Sequence, residues 1–195
     1  MTRVVLLLSL TVTATAADFR VELSPETTKI NWTLGDVLHT VHGTFRLKRG
    51  EIHFDPESGK ASGEVVVDAT SGESGSGARD SRMHKNVLES QKYPEISFAP
   101  DRVEGKVQQS GTSSLKLHGV FRIHGAPHEI TVPVEVATKE NQLTANIRFE
   151  IPYVPWGMKD PSTFILKVGK SVEIDISQIL VCETMAEQTT CYPRK

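Results

Sequence analysis

Ile130-Thr131-Val132-Pro133-Val134-Glu135-Val136 places an aliphatic residue at every second position. Successive side chains of a strand point to opposite faces of a sheet. Ile130, Val132, Val134 and Val136 therefore share one face, and Thr131, Pro133 and Glu135 the other. This period of two predicts a strand with one packed face and one solvated face. Pro133 adds a constraint. Its nitrogen carries no hydrogen for a ladder, so the strand lies at an edge, an opening or a bulge.

The same period recurs in both directions. Downstream, Leu143, Ala145, Ile147, Phe149 and Ile151 repeat it, and Val172, Ile174 and Ile176 close the expected series. Upstream come Leu115 and Leu117, then Phe121 and Ile123. Near the start, Ile30, Trp32 and Leu34 share a face, as do Val41, Phe45 and Leu47 with Gly43 between them. Ile52 and Phe54 follow, closed by the turn Asp55-Pro56-Glu57-Ser58-Gly59. Val65 and Val67 form a short face, and Val66 makes that strand apolar on both sides. Many one-sided strands separated by Gly, Pro, Asn and Asp turns predict an antiparallel sheet closed or folded on itself. No repeat, linker or low-complexity tract divides the chain. The expected fold is all-β, a single antiparallel barrel of about eight strands.

One stretch departs from the alternation. Ala69 to Phe98 reads ATSGESGSGARDSRMHKNVLESQKYPEISF. A Ser/Gly-rich loop is expected from Ser71 to Gly77, followed by the pair Arg79-Asp80. A short helix then carries Met83 and Val87 on one face, with Leu88 beside them. Tyr93-Pro94 stops it, because the residue before a proline is pushed out of the α region. Glu95-Ile96-Ser97-Phe98 resumes as a strand. The helix is expected to lie over one end or side of the barrel.

The order of loop, Arg-Asp, short helix, Tyr-Pro and strand resembles the YceI-like family of lipid- or polyisoprenoid-binding proteins. Val41-His42-Gly43-Thr44-Phe45 resembles that family's V-x-G-x-F strand, and Gly119-Val120-Phe121-Arg122-Ile123-His124-Gly125 its G-x-L-T-x-H-G turn. Pro152 to Pro161, PYVPWGMKDP, resembles the aromatic-Gly loop before the final strands. The likeness runs from about Arg20 to Ile176. It departs at Gly35, where the family often carries a histidine; His39 and His42 are near but out of register. The resemblance implies a lipocalin-like barrel with an apolar tunnel for a long isoprenoid chain, and it allows a homodimer.

Residues 1–17 read as a signal peptide and residues 18–195 as the barrel domain. Arg3 supplies a positive start, Val4 to Val12 a short apolar run, and Ala14-Thr15-Ala16 a small-x-small cleavage pattern. No cysteine adjoins that site, so no lipid anchor is expected. No stretch reaches the ~20 apolar residues of a transmembrane helix. A periplasmic or secreted protein is expected. A formal net charge of -2 and a pI near 6.4 argue against a nucleic-acid partner, which calls for a basic patch. Cys182 and Cys191, outside any C-x-x-C spacing, would pair in an oxidising compartment and tie down the tail.

A barrel of this size is either filled by its own side chains or holds an apolar ligand. The candidate lining residues are Trp32, Leu34, Phe45, Leu47, Val67, Met83, Val87, Leu88, Phe98, Leu117, Phe121, Ile123 and Trp156. Taken singly each reads first as plain core packing, and as a set they serve both roles, since a tunnel wall is also a core. A polar headgroup needs donors at a mouth. Arg79, Asp80 and His84, with the hydroxyls of Ser71 and Ser74, flank the loop and helix. A structural role stands beside that one, with Asp80 capping the helix and Arg79 pinning the loop.

His39 and His42 form H-x-x-H, but on a strand that spacing sends them to opposite faces. His118, His124 and His128 surround a turn expected at Gly125-Ala126-Pro127. No metal is expected, since a catalytic zinc site takes three protein ligands and an open position. No G-x-S-x-G, H-E-x-x-H or P-loop is present. Barrels do host enzymes without such motifs, but the resemblance implies a non-enzymatic function, an exported carrier for a polyisoprenoid or isoprenoid quinone, with no cofactor besides that lipid. A lipid- or quinone-modifying enzyme using the same cavity, or a structural barrel with a filled core, are the alternatives.

Overall fold

The alternation at Ile130–Val136 forms the middle of a long strand whose even-numbered residues face inward. The computed structural model describes residues 18–35, 40–164, 167–185 and 188–194. The expected export segment, residues 1–17, lies outside them. In chain order the strands are β1 (Asp18–Leu23), β2 (Lys29–Gly35), β3 (Thr40–Phe54), β4 (Ala61–Glu73) and β5 (Glu95–Glu104). They continue with β6 (Gly111–Ile123), β7 (Ala126–Lys139), β8 (Gln142–Ile151), β9 (Val172–Met185) and β10 (Gln188–Pro193). One helix, α1 (Gly77–Arg82), runs into a π-helical turn at Met83–Val87.

The sheet closes. Strands β3 to β9 pair antiparallel in sequence order, and the gap between β3 and β9 is bridged differently at the two ends. At one end β2 joins them, through Trp32↔Gly43 on β3 and Trp32↔Ile174 on β9. At the other end β1 pairs with the far half of β3, and β10 pairs with the far half of β9. β1 and β10 complete the ring by running parallel to each other, with Val21 opposite Cys191. The larger closed circuit thus has nine strands with β2 outside it, and the circuit through β2 has eight.

Long β3 serves both ends because it carries a bulge. Leu47 pairs with Val67 and Arg49 with Val66, leaving Lys48 as the extra residue. The bulge moves the inward set from odd to even numbers. Hence Val41, Phe45 and Leu47 face in before it, and Ile52 and Phe54 after it.

Pro133 sits at an opening. β7 pairs with β6 from Ala126 to Thr138, but with β8 only from Val134 onward. The nitrogen without a hydrogen therefore lies where the β7–β8 ladder ends. The hairpin before it is tighter than expected: Ile123 pairs with Ala126, so the turn is His124-Gly125. Both have positive φ, 52° and 77°, the type I′ geometry that matches strand twist.

Three further expectations need correction. Ser71, Gly72 and Glu73 belong to β4, and helix begins at Gly77 rather than Met83. The irregular loop is therefore short. Asp80 is not a cap; it lies inside the helix, its backbone N–H donating to Ser76. Nor do the strands end at Ile176. β9 continues to Met185, and β10 follows, joined to it by the Cys182–Cys191 disulfide with a Cα–Cα distance of 4.0 Å.

Candidate functional site

Inward-facing side chains leave space along the barrel axis. A cavity of about 750 Å³ occupies the end covered by α1, between Ile30, Trp32, Phe45, Ile123, Ile151 and Ile174. A second, of about 210 Å³, occupies the disulfide end, between Phe19, Phe54, Leu115, Val134, Leu180 and Cys191. Val67, Phe121, Phe149 and Ile176 border both. They form a waist, and the rings of Phe121 and Phe149 meet there edge to face at 6.2 Å. In the smaller chamber the amide of Gln178 is held by hydrogen bonds. Thr28 donates to Gln178 at 2.7 Å, and the Gln178 amide donates to the Ile179 carbonyl at 3.1 Å.

Most of the anticipated lining residues border this space. Trp32, Leu34, Phe45 and Ile123 line the larger chamber with Met83, Val87 and Leu88 from the helical segment. Phe98 and Leu117 line the smaller one, and Val67 and Phe121 both. Leu47 and Trp156 line neither. Leu47 is packed in the core at 3% exposure. Trp156 is held outside the chamber by its partners, stacking on His128 and approaching Phe121 at 5.9 Å.

The helical segment fits over the mouth because β4 and β5 pair only from Val65 to Asp68. Beyond that, Ala69 donates to the Pro94 carbonyl, and residues between them are free to arch over the barrel. Gly72 permits the close approach; a Cβ there would run into Phe45 and Met83. Arg79 donates through Nε to the Ser74 hydroxyl at 2.7 Å and through Nη2 to the Ser74 carbonyl at 2.9 Å. Ser74 in turn donates to Asp80. Arg79 thus does pin the turn.

The five headgroup candidates separate. Ser74 and Arg79 border the large chamber. Ser71, Asp80 and His84 do not. Ser71 accepts from the Arg46 N–H and donates to the Asp68 carbonyl, fastening β4 to β3. His84 donates from Nε2 to the Gly72 carbonyl at 2.8 Å, since a carbonyl only accepts. Its Nδ1 lies 3.0 Å from the buried Ser90 hydroxyl. Arg82 and Thr40 border the chamber and were missed. Arg82 was within reach of sequence reasoning, because it falls three residues after Arg79 on a helix and so shares its face.

Residues 152–164 and 167–171 form the rest of the rim and supply Tyr153, Met158, Pro161 and Val168 to the chamber. Both pieces are irregular, so no period announced these residues. Tyr153 donates to the Gly169 carbonyl at 2.6 Å, and the Gly169 N–H donates to the Gly35 carbonyl at 2.8 Å. The rim is thereby clipped to β2. Burial, aided by the charge of Asp160, pushes the Tyr153 phenol up to about 12.

The histidines go separate ways. His42 Nδ1 lies 3.0 Å from the Thr33 hydroxyl; His39 lies outside the described residues. His118 pairs with Asp101 and His124 with Glu89. His128 is stacked under Trp156, and desolvation lowers its pKa. Among the described residues no three His, Cys, Asp or Glu side chains converge as metal ligands. Among the described residues no helix is long and apolar enough to cross a membrane.

Comparison with known proteins bears directly on this architecture. The family model described as a YceI-like domain matches residues 21–179. BcnA of Burkholderia cenocepacia superposes with a TM-score of 0.64 at 18% identity, covering 78% of this chain and 95% of that one. A polyisoprenoid-binding domain from Saccharophagus degradans superposes with a TM-score of 0.60 at 15% identity, covering 84% and 97%. The YceI protein of Campylobacter jejuni gives 0.60 at 18% identity, covering 76% and 88%. These likenesses bear on the fold. No curated protein matches the chain in sequence.

Proposed function

The chain belongs to the YceI-like family, and we propose that it is an exported carrier holding a long-chain isoprenoid lipid non-covalently along the barrel axis. The observation that carries this reading is the pair of apolar chambers meeting at Val67, Phe121, Phe149 and Ile176. A threaded tail would pass this waist, and its polar end would sit at the mouth beside α1. The domain from Saccharophagus degradans, described as polyisoprenoid-binding, supports the ligand class. The disulfide and the apolar start of the sequence support export, because such bonds persist in oxidising compartments.

Magnitudes set the length of ligand that a chamber of about 750 Å³ rewards. Each five-carbon isoprene unit placed in the space returns roughly 3–4 kcal/mol gross. Chain ordering and lost translation offset much of this, so several units must be enclosed. A long tail meets that condition. The lipid is bound and released unchanged.

Trp32 reports on the chamber it lines. In a Trp156→Phe variant it is the sole tryptophan, so titrating delipidated protein with a polyprenol should change its emission and leave polyprenol bound after gel filtration. Unchanged emission with no retained lipid would overturn the reading.

A further inference from the structure

Pro161 and Val168 both reach the large chamber, and the chain between them makes a tip on the rim. Its base is fastened. The Val168 N–H donates to the Ser162 hydroxyl at 3.0 Å, and the Ser162 N–H donates to the Asp160 carboxylate at 2.8 Å. The tip carries Phe164, whose side chain is 98% exposed and so packs on nothing in this chain. Among the described residues no large apolar side chain is barer. Water around such a ring is displaced favourably by any apolar phase that meets it.

The surroundings of the ring are cationic. Residues 152–171 carry Lys159, Lys167 and Lys170 against one acid, Asp160, which is committed to Ser162. The helical segment at the same mouth, residues 77–88, carries Arg79, Arg82 and Lys85 against Asp80. The chain as a whole has a net charge of -2, so this end is positive against the trend. The three rim lysines are exposed, and none of them makes a salt bridge among the described residues. Arginines on the barrel wall are paired instead: Arg49 with Glu64, Arg102 with Glu104, and Arg148 with Asp175. Acids at the adjoining strand ends are engaged as well. Glu73 accepts from Thr44, Glu150 accepts from Ser171, and Glu173 faces Arg148.

A bare ring among unpaired lysines matches the surface of an anionic bilayer. The ring enters the boundary between headgroups and acyl chains, while lysine stems lie along it and their ammonium groups stay among the phosphates. A stable protein interface asks for about 800 Å² from each partner, far more than one ring offers. Attraction to an anionic bilayer accrues residue by residue instead.

We propose that the rim tip bearing Phe164, with Lys159, Lys167 and Lys170, docks this protein on an anionic bilayer with the chamber mouth toward the membrane. None of these four side chains lines the chamber. The docking surface therefore needs no lipid inside the barrel and stands apart from the carrier reading.

The test is co-sedimentation of natively purified protein with vesicles, scored beside its melting temperature and its uptake of polyprenol from detergent. Wild type should bind phosphatidylcholine vesicles containing phosphatidylglycerol about ten-fold or more tightly than pure phosphatidylcholine. Phe164→Ser removes no contact within the chain and should weaken that binding about ten-fold. Lys167→Gln combined with Lys170→Gln should weaken it about twenty-fold, since each lysine near an anionic surface is worth about five-fold. The double variant should also respond less to added salt. Met185→Ser, which removes an exposed apolar side chain at the end of β9, should bind as wild type does. Melting temperature and polyprenol uptake should be unchanged throughout. Wild type that ignores anionic vesicles, or binds neutral ones equally well, would overturn the inference. So would Phe164→Ser that binds like wild type, or an equal loss in Met185→Ser. Vesicle binding by protein that takes up no polyprenol would remove the carrier reading and leave this inference standing.

Discussion

Trp156 lies flat on His128, with ring centroids 3.9 Å apart and planes inclined by 6°. The contact sits where β7 and β8 have parted below Pro133, so a side chain from the loop after β8 covers what the ladder leaves open. His128 Nε2 is buried there without a partner among the described residues.

That burial has a pH consequence. Desolvation depresses the folded-state pKa of His128, so the unfolded chain takes up this proton first. The stability contributed by neutral His128 is present above about pH 6.5, the unfolded value, and is lost as pH falls toward the folded value. His128→Phe keeps the stack without the titration. Its melting temperature should fall less than wild type's as pH drops through this window. Identical pH profiles would show that the site does not titrate as described.

Tyr153 ties the rim to Gly169. Tyr153→Phe leaves that carbonyl without its donor and should cost about 1–3 kcal/mol in urea unfolding. The sign at high pH follows from the raised folded value of about 12 against about 10 unfolded. Stability from the protonated phenol is present below about pH 10 and lost as pH rises through the folded value. The variant should show a flatter decline over that window.

Gly43 is where β3 passes beneath the Trp32 ring. A Cβ there would collide with both that ring and the Glu73 backbone carbonyl, and a backbone neighbour gives little. Gly43→Ala should destabilise by about 3 kcal/mol, the upper end of the overpacking range. Trp32 emission should shift with it. A variant with wild-type stability and emission would contradict this packing.

The disulfide between Cys182 and Cys191 closes a short loop across β9 and β10. Replacing both with Ser should cost about 2–3 kcal/mol in the chain-entropy model. At this size that lowers the melting temperature by about 5–10 °C, readable by calorimetry. The variant should still close its barrel at the β2 end, where the disulfide plays no part.

The barrel was legible wherever alternation ran long. β7 and β8 could be assigned to faces residue by residue, and Pro133 marked an edge, an opening or a bulge, of which the structure shows the opening. β1 and β10 were not anticipated. β1 alternates in Phe19, Val21 and Leu23, but six residues carry little period. β10 turns Thr189 and Cys191 inward, and neither is bulky enough to signal a face. Their parallel pairing depends on closure of the whole ring, which no local window contains. The site divided along the same line. Residues on strands and on one helical face reached the chamber, whereas Tyr153 and Met158 came from an irregular rim. Leu47 and Trp156 have suitable chemistry, but a bulge and a stacking partner decide where they sit.

The central claim is that an isoprenoid lipid occupies both chambers. It is tested most directly by mass spectrometry of the organic extract from natively purified protein, beside an unrelated exported protein prepared identically. The account predicts a polyprenyl species at about one per chain, absent from the control, and shorter chains retained by Val67→Phe, which narrows the waist. A full-length lipid held equally well by Val67→Phe would contradict threading through the waist. An extract indistinguishable from the control, from protein that also fails to take up added polyprenol, would contradict the claim itself.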